Sequence, residues 1–162
     1  MAINWITLII GVVVGMLVMG GLMWLMMPSM MLIKHKTRYG YDEALKRLNE
    51  NLLGKQDWKV LKTNDYQEST ASFGALERVC SVNVCNPRYA SEILTEDGNR
   101  GVTAFMPLAI GVYEDKQKQV YVSQLNVGLL GMMFGGTIAK VMKLAGKDIG
   151  KAVSSVTDGK AS

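Results

Sequence analysis

Apolar and polar positions divide the chain into two unequal parts. From Trp5 to Met27 almost every residue is apolar, Thr7 being the one hydroxyl, and no charged side chain occurs before Lys34. As a helix these 23 residues would reach about 34 Å at roughly 1.5 Å each, enough for a hydrocarbon core of about 30 Å. Trp5 and Trp24 stand near the two ends, where amphipathic rings favour the headgroup level. Pro28 and Ser29 are predicted to end the helix. A cleaved signal peptide would have a shorter apolar region, roughly 7–15 residues, with a basic start and a small-residue cleavage site. Here the run is longer, and bulky Met26, Met27, Met30 and Met31 fill its exit. The pattern predicts a retained single-pass anchor over residues 1–29, in contact with a lipid bilayer through residues 5–27. A soluble domain over residues 30–162 follows.

In that domain the periodicity changes from element to element. Met31, Ile33, His35 and Thr37 alternate with Leu32, Lys34 and Lys36, which predicts a first strand. Gly40 ends it, and Tyr41, Ala44, Leu45, Leu48 and Leu52 then follow helical spacing as far as Gly54. Trp58 to Val60 opens a short strand, and residues 63–75 read as loop or weak strand. Val79 to Cys85 is a strand with Cys80, Val82 and Val84 on one face and Ser81, Asn83 and Cys85 on the other. Asn86 suits a helix cap and Pro87 the first helical position, with the helix running to Leu94. Val102 to Tyr113 is predicted as one long strand with a bulge or edge position at Pro107. A turn over 114–118 leads to a returning strand, Val120 to Leu125. A last helix is predicted from Leu129 to Val153, broken at Gly146, with Thr157 to Ser162 frayed. The order β-α-β-β-α-β-β-α predicts a two-layer α+β domain with a mainly antiparallel sheet.

Charge adds little. The 18 basic and 14 acidic residues give +4. Lys140, Lys143, Lys147 and Lys151 recur at helical spacing, either as a solvated face or as a contact for anionic lipid headgroups. No basic–aromatic interleaving is present, so no nucleic-acid partner is expected. Lys34, Lys36 and Arg38 flank the exit of the apolar segment, against only the α-amino group at its entry, a bias toward a cytoplasmic domain. That difference of about two charges leaves the side of the membrane open. Gly11 and Gly15 form a GxxxG pair, which suits either a homo-oligomer or a lone helix facing lipid.

Four segments resemble a known family. They are Met30 to Glu43, Cys85-Asn86-Pro87-Arg88-Tyr89-Ala90, Met106-Pro107 with Ile110 to Glu114, and Val120 to Gly136. Together, and in this order, they resemble the bacterial family called domain of unknown function 302 over roughly residues 30–150. The resemblance implies a fold similar to the TATA-binding-protein-like α+β fold and, from soluble relatives, a homodimer. It implies no activity. Membrane-anchored relatives often begin with lysines, implying a domain outside the cytoplasm. This chain lacks them, and it has Leu108 where relatives often carry a cysteine after the Met-Pro pair.

Few residues offer chemistry. Cys85 directly precedes a predicted helix N-terminus, where a thiol pKa is expected to fall; the plainer role is a small residue at a tight turn. Cys80 is expected in the core. Five strand positions separate the two by about 16 Å, beyond the roughly 4.4–6.8 Å a disulfide allows, and their spacing is not that of CxxC motifs. His35, the single histidine, could join Met30 or Met31 in binding Cu(I), or supply an axial haem ligand; otherwise the methionines there are simply apolar. One histidine excludes multi-histidine metal sites and most triads. Gly131 to Thr137 echoes a phosphate loop without its lysine and suits close helix packing instead.

Three functions follow in order. The first is a non-enzymatic, membrane-anchored module that binds a small ligand or protein partner in a cleft between sheet and helices. The second is an accessory redox or metal/haem-handling protein using Cys85, with Asn86 and Pro87 beside it and His35 assisting. An enzyme comes last, since no nucleophile–base pair is visible. A polar pocket ending at Cys85 would favour the second; an apolar surround would favour the first. No cofactor and no particular protein partner is indicated.

Overall fold

A computed structural model describes residues 4–157; the predicted fraying beyond Thr157 lies outside them, and Thr157 itself is buried. Helix α1 spans Trp5–Met31, and its large apolar side chains from Trp5 to Met30 are exposed all round. It is long and apolar enough to cross a membrane. It does not stop at Pro28, as the sequence suggested, but continues to Met31. Proline disturbs the turn before it, by its ring and its missing N–H, while its own φ is helical, so the turn after it can form. Ser29 Oγ donates to Met26 O at 2.8 Å, and the Leu32 N–H closes the helix on Pro28 O.

Strand β1, Leu32–Lys36, starts at the next residue. No linker separates it from α1. The corner after β5 (Val120–Leu125) fixes the junction: the Asn126 N–H donates to Met31 O at 2.8 Å, and Asn126 Nδ2 donates to Met30 O at 3.2 Å. These carbonyls end a helix and have no partner within it. Asn126 Oδ1 in turn accepts from Leu129 N at 3.1 Å, capping α5, Val127–Met132.

The sheet has five strands in the order β1-β5-β4-β3-β2, with β2 at Lys59–Asp65, β3 at Val79–Cys85 and β4 at Leu108–Glu114. Every pair is antiparallel. His35 lies opposite Val122, Val122 opposite Val112, and Val112 opposite Cys80, so one row of side chains crosses from β1 to β3. Together with Val82, Val84 and Ile110 this row packs under α2, Tyr41–Leu53, and α6, Gly136–Ser154. Ala44, Leu48 and Leu52 of α2 are fully covered, as their helical spacing requires. The other face carries Lys34, Lys36, Tyr113, Tyr121 and Ser123; the two tyrosines stack with ring centres 5.4 Å apart. A short helix α3, Tyr66–Ser69, precedes β3, and α4, Pro87–Leu94, follows it.

Two predicted elements differ. The long strand from Val102 is a 3-10 segment over Asp97–Phe105 followed by β4. β4 lies inside the sheet, so each of its N–H groups is needed by a neighbour; Pro107, joined to Met106 by a cis bond, therefore sits just before it. The alternation of Val102, Ala104 and Met106 does not report a strand. Val102 and Phe105 instead share a side at the three-residue period of the tighter helix. The last helix is two: α5 and α6, joined by a turn in which Gly135 and Gly136 have φ of 71° and 52°. That region favours glycine. Gly146, the predicted break, lies inside α6 and lets it approach Gly128 of α5, where an added Cβ would stand 3.1 Å from the Gly128 nitrogen.

The α5–α6 contact is tightest at Gly131, where an added Cβ would stand 2.6 Å from Met142 Cβ. Gly131→Ala is expected to lower stability by about 1–3 kcal/mol through overpacking. Gly150→Ala, with nothing within 4 Å, is expected to raise it by about 0.5–1 kcal/mol through helix propensity. Thermal unfolding of both variants of the full chain in detergent, followed by circular dichroism, checks the pair; equal shifts would rule out the close contact.

Candidate functional site

A second apolar cluster sits beyond one end of the sheet. It joins Ile93 of α4, Val102, Val127 and Leu130 of α5, and Ile138, Val141 and Met142 of α6, with Met31 packed against it. Between this cluster and the main core lies a half-enclosed cleft with about 50 Å³ of free space. Trp58, Val84, Ala90, Phe105, Pro107 and Ala145 are among the side chains that line it, and Cys85 and Asn86 reach its wall. The lining is almost wholly apolar. Beside it a more polar recess of about 280 Å³ is framed by Lys55, Asp57, Arg88 and Asp148. Asn86 and Tyr89 belong to both.

Local sequence explains this wall. β3 ends at Cys85, and Asn86 caps α4 through Oδ1, which accepts from Tyr89 N at 3.2 Å; Pro87 occupies the first turn. Asn86 Nδ2 also donates to Gln56 O at 3.3 Å, which ties the loop before β2 to the cap. One helical turn later, Tyr89 meets Trp58 edge to face, with ring centres 6.2 Å apart. Asp148 of α6 accepts from both rings, from Tyr89 Oη at 3.0 Å and from Trp58 Nε1 at 3.3 Å. Burial and the Asp148 bond hold the Tyr89 hydroxyl above the usual tyrosine range. Asp148, Trp58 and Tyr89 are not legible in the sequence as a unit. The one available signal was an acidic residue on a helix otherwise lined with lysines.

Cys85 departs from expectation in its chemistry. Its thiol pKa is raised, by burial, where the helix N-terminus was expected to lower it. In the first turn of α4 the Tyr89 N–H is taken by the Asn86 side chain. By register Cys85 also lies opposite Lys59 on the sheet face away from the core row. Cys80 is 2% exposed; burial raises its pKa too. Both cysteines are free.

The structure does not bring Cys85 and His35 together. β1 is an edge and β3 lies three strands away. Cys85 is five residues beyond the row that His35 occupies. That is roughly 14 Å across the sheet and about 17 Å along it. Nor does Met31 join His35: Met31 ends α1 and packs on the second cluster, roughly 13 Å up the chain. Among the described residues no three His, Cys, Asp or Glu side chains gather as metal ligands. The lysines of α6 are exposed, and Lys140 pairs with Glu92 at 3.2 Å.

The architecture is thus an apolar N-terminal helix leading directly into an α+β domain, with a five-stranded antiparallel sheet covered on one face. Residues 33–156 match the family described as Domain of unknown function DUF302, and the chain belongs to that family. Its fold is similar to the crystal structure of an uncharacterized conserved DUF302 protein from Bacillus stearothermophilus, with a TM-score of 0.69 at 21% identity. The likeness covers 79% of this chain and 99% of that one. Among curated proteins no match was found.

The thiols give a direct check. Cys85 is expected to alkylate faster than Cys80 because it is half-buried, and both rates should keep rising above pH 9, since a raised pKa leaves little thiolate at neutral pH. Pulse alkylation of the native protein with mass spectrometry measures both. Fast labelling of Cys85 at pH 7 would restore the activated-thiol reading.

Proposed function

We propose that the chain is a non-enzymatic, membrane-anchored module that binds a small amphiphile, with the apolar part in the cleft and the polar part in the adjoining recess. The observation that carries this is the shared wall of Asn86 and Tyr89, which places an apolar hole directly beside a charged one. A free volume of about 50 Å³ is well below the roughly 150 Å³ of an engineered cavity that holds benzene. The cleft therefore suits the end of a flexible chain better than a ring, and a longer chain must displace an unbranched lining side chain such as Met106 or Met142. Lys55 and Arg88 face Asp57 and Asp148 around the recess, which suits a head that accepts and donates hydrogen bonds. The exposed apolar surface of α1 supports the anchor. The antiparallel sheet with helices on one face supports the TATA-binding-protein-like label.

Trp58 lines the cleft and reports on it. In full chain carrying Trp5→Phe and Trp24→Phe, held in lipid nanodiscs, decanoate below its micellar concentration is expected to change Trp58 emission saturably. Ala90→Leu, which fills the cleft, should weaken that response at least tenfold, and Arg88→Gln several-fold. An unsaturable response that Ala90→Leu leaves intact would remove the amphiphile reading.

A further inference from the structure

The end of the domain that holds the cleft is also the end from which α1 leaves. Leu32, the first residue after α1, lies opposite Leu125, the last of β5. Asn126 then turns the chain into α5 while bonded to Met30 O and Met31 O. α5 touches α1 at this corner and extends about 9 Å for its six residues. At its tip Met132 and Met133 are each 74% exposed and Phe134 46%. Phe105 packs edge-on against Phe134, with ring centres 5.8 Å apart, and Phe105 is also a wall of the cleft. No charged residue occurs from Gln119 to Ala139. Along the sequence the first charges after the tip are Lys140 and Lys143, both exposed, about 6 Å and 10 Å along α6 from Gly136; in space Glu96 is nearer, accepting from Thr137 Oγ1 at 2.6 Å, and Glu92 pairs with Lys140.

We propose that this tip, Met132 to Phe134 with Phe105, inserts into the interfacial layer of the same bilayer that holds α1, so that the cleft opens against the membrane. The inference rests on the anchor reading, and the occupant follows from continuity with it: α1 enters β1 without a linker, and α5 is capped by the residue bonded to the last carbonyls of α1. A contiguous apolar projection of this kind is unusual on a surface that stays in water. A short uncharged apolar tip matches the burial depth of roughly 5–10 Å found for interfacial segments; the paired Lys140 and Glu92 and the exposed Lys143 behind it would lie at headgroup level. The cleft would then take its amphiphile from the leaflet rather than from water.

The test uses the full chain with Cys80→Ala and Cys85→Ala in phosphatidylcholine–phosphatidylglycerol nanodiscs. A nitrobenzoxadiazole label goes on Met133→Cys, on Met23→Cys in α1, or on Phe73→Cys. Phe73, 90% exposed, precedes β3 at the sheet end remote from α1. Brominated lipid is expected to quench the labels at 133 and 23 several-fold more than the label at 73. Quenching at 133 no greater than at 73, with 23 quenched, overturns the inference and leaves the anchor standing. A water-like label at 23 overturns the anchor reading and this inference with it. A blue-shifted label at 133 without bromolipid quenching also overturns it, in favour of protein covering the tip.

Discussion

The arrangement depends on one side chain, Asn126. Its two polar atoms and its backbone N–H serve two helix termini at once, the N-terminus of α5 and the last carbonyls of α1, at the corner where β5 ends. Both helix termini would otherwise lack these partners at a partly buried corner. Because the bonds converge, pivoting of α1 about Leu32 or a swing of α5 away from α1 would break them. The second apolar cluster, and with it the cleft, forms only because α5 is held there for α6 to fold back upon. Gly131 and Gly146 then let that return path come close enough to seal the cluster.

Chemistry at the site follows from what the cap leaves over. Asn86 takes the Tyr89 N–H in the first turn of α4, so that donor is not offered to Cys85. Asp148 receives two neutral donors, which orient Trp58 and Tyr89 as one rigid corner between the cleft and the recess. The result is a surface with a sharp change of polarity across a single tyrosine ring, the feature on which the proposed amphiphile reading rests.

Local signals carried much of the fold. β3 could be read from the alternation of Cys80, Val82 and Val84, α4 from the Asn86-Pro87 pair, and α2 from the spacing of Ala44, Leu48 and Leu52, because each is fixed by its own cap or period. The 3-10 segment was not legible. Val102, Ala104 and Met106 satisfy a strand pattern by coincidence, and what excludes a strand is the interior position of β4, a fact about pairing rather than about residues 102–107. The Gly135-Gly136 turn was present as a signal but competed with Gly146, whose role is packing. At the site, Cys85 and Asn86 were visible because they sit beside a proline. Trp58, Phe105, Val127 and Val141 come from four separate parts of the chain and meet only in space. For the same reason the distance between His35 and Cys85 could not be read from their sequence positions.

The direct passage from Met31 to Leu32 has a mechanical consequence. A flexible tether of ten residues would let a domain roam about 17 Å from its attachment point, sampling many heights and tilts. Here that freedom is absent, and the sheet inherits the inclination of α1. With α1 in a bilayer, encounters with other molecules become a planar search at one fixed elevation. The stacked pair Tyr113 and Tyr121 would sweep a thin shell parallel to the membrane, and only partners presenting a surface at that height could meet it.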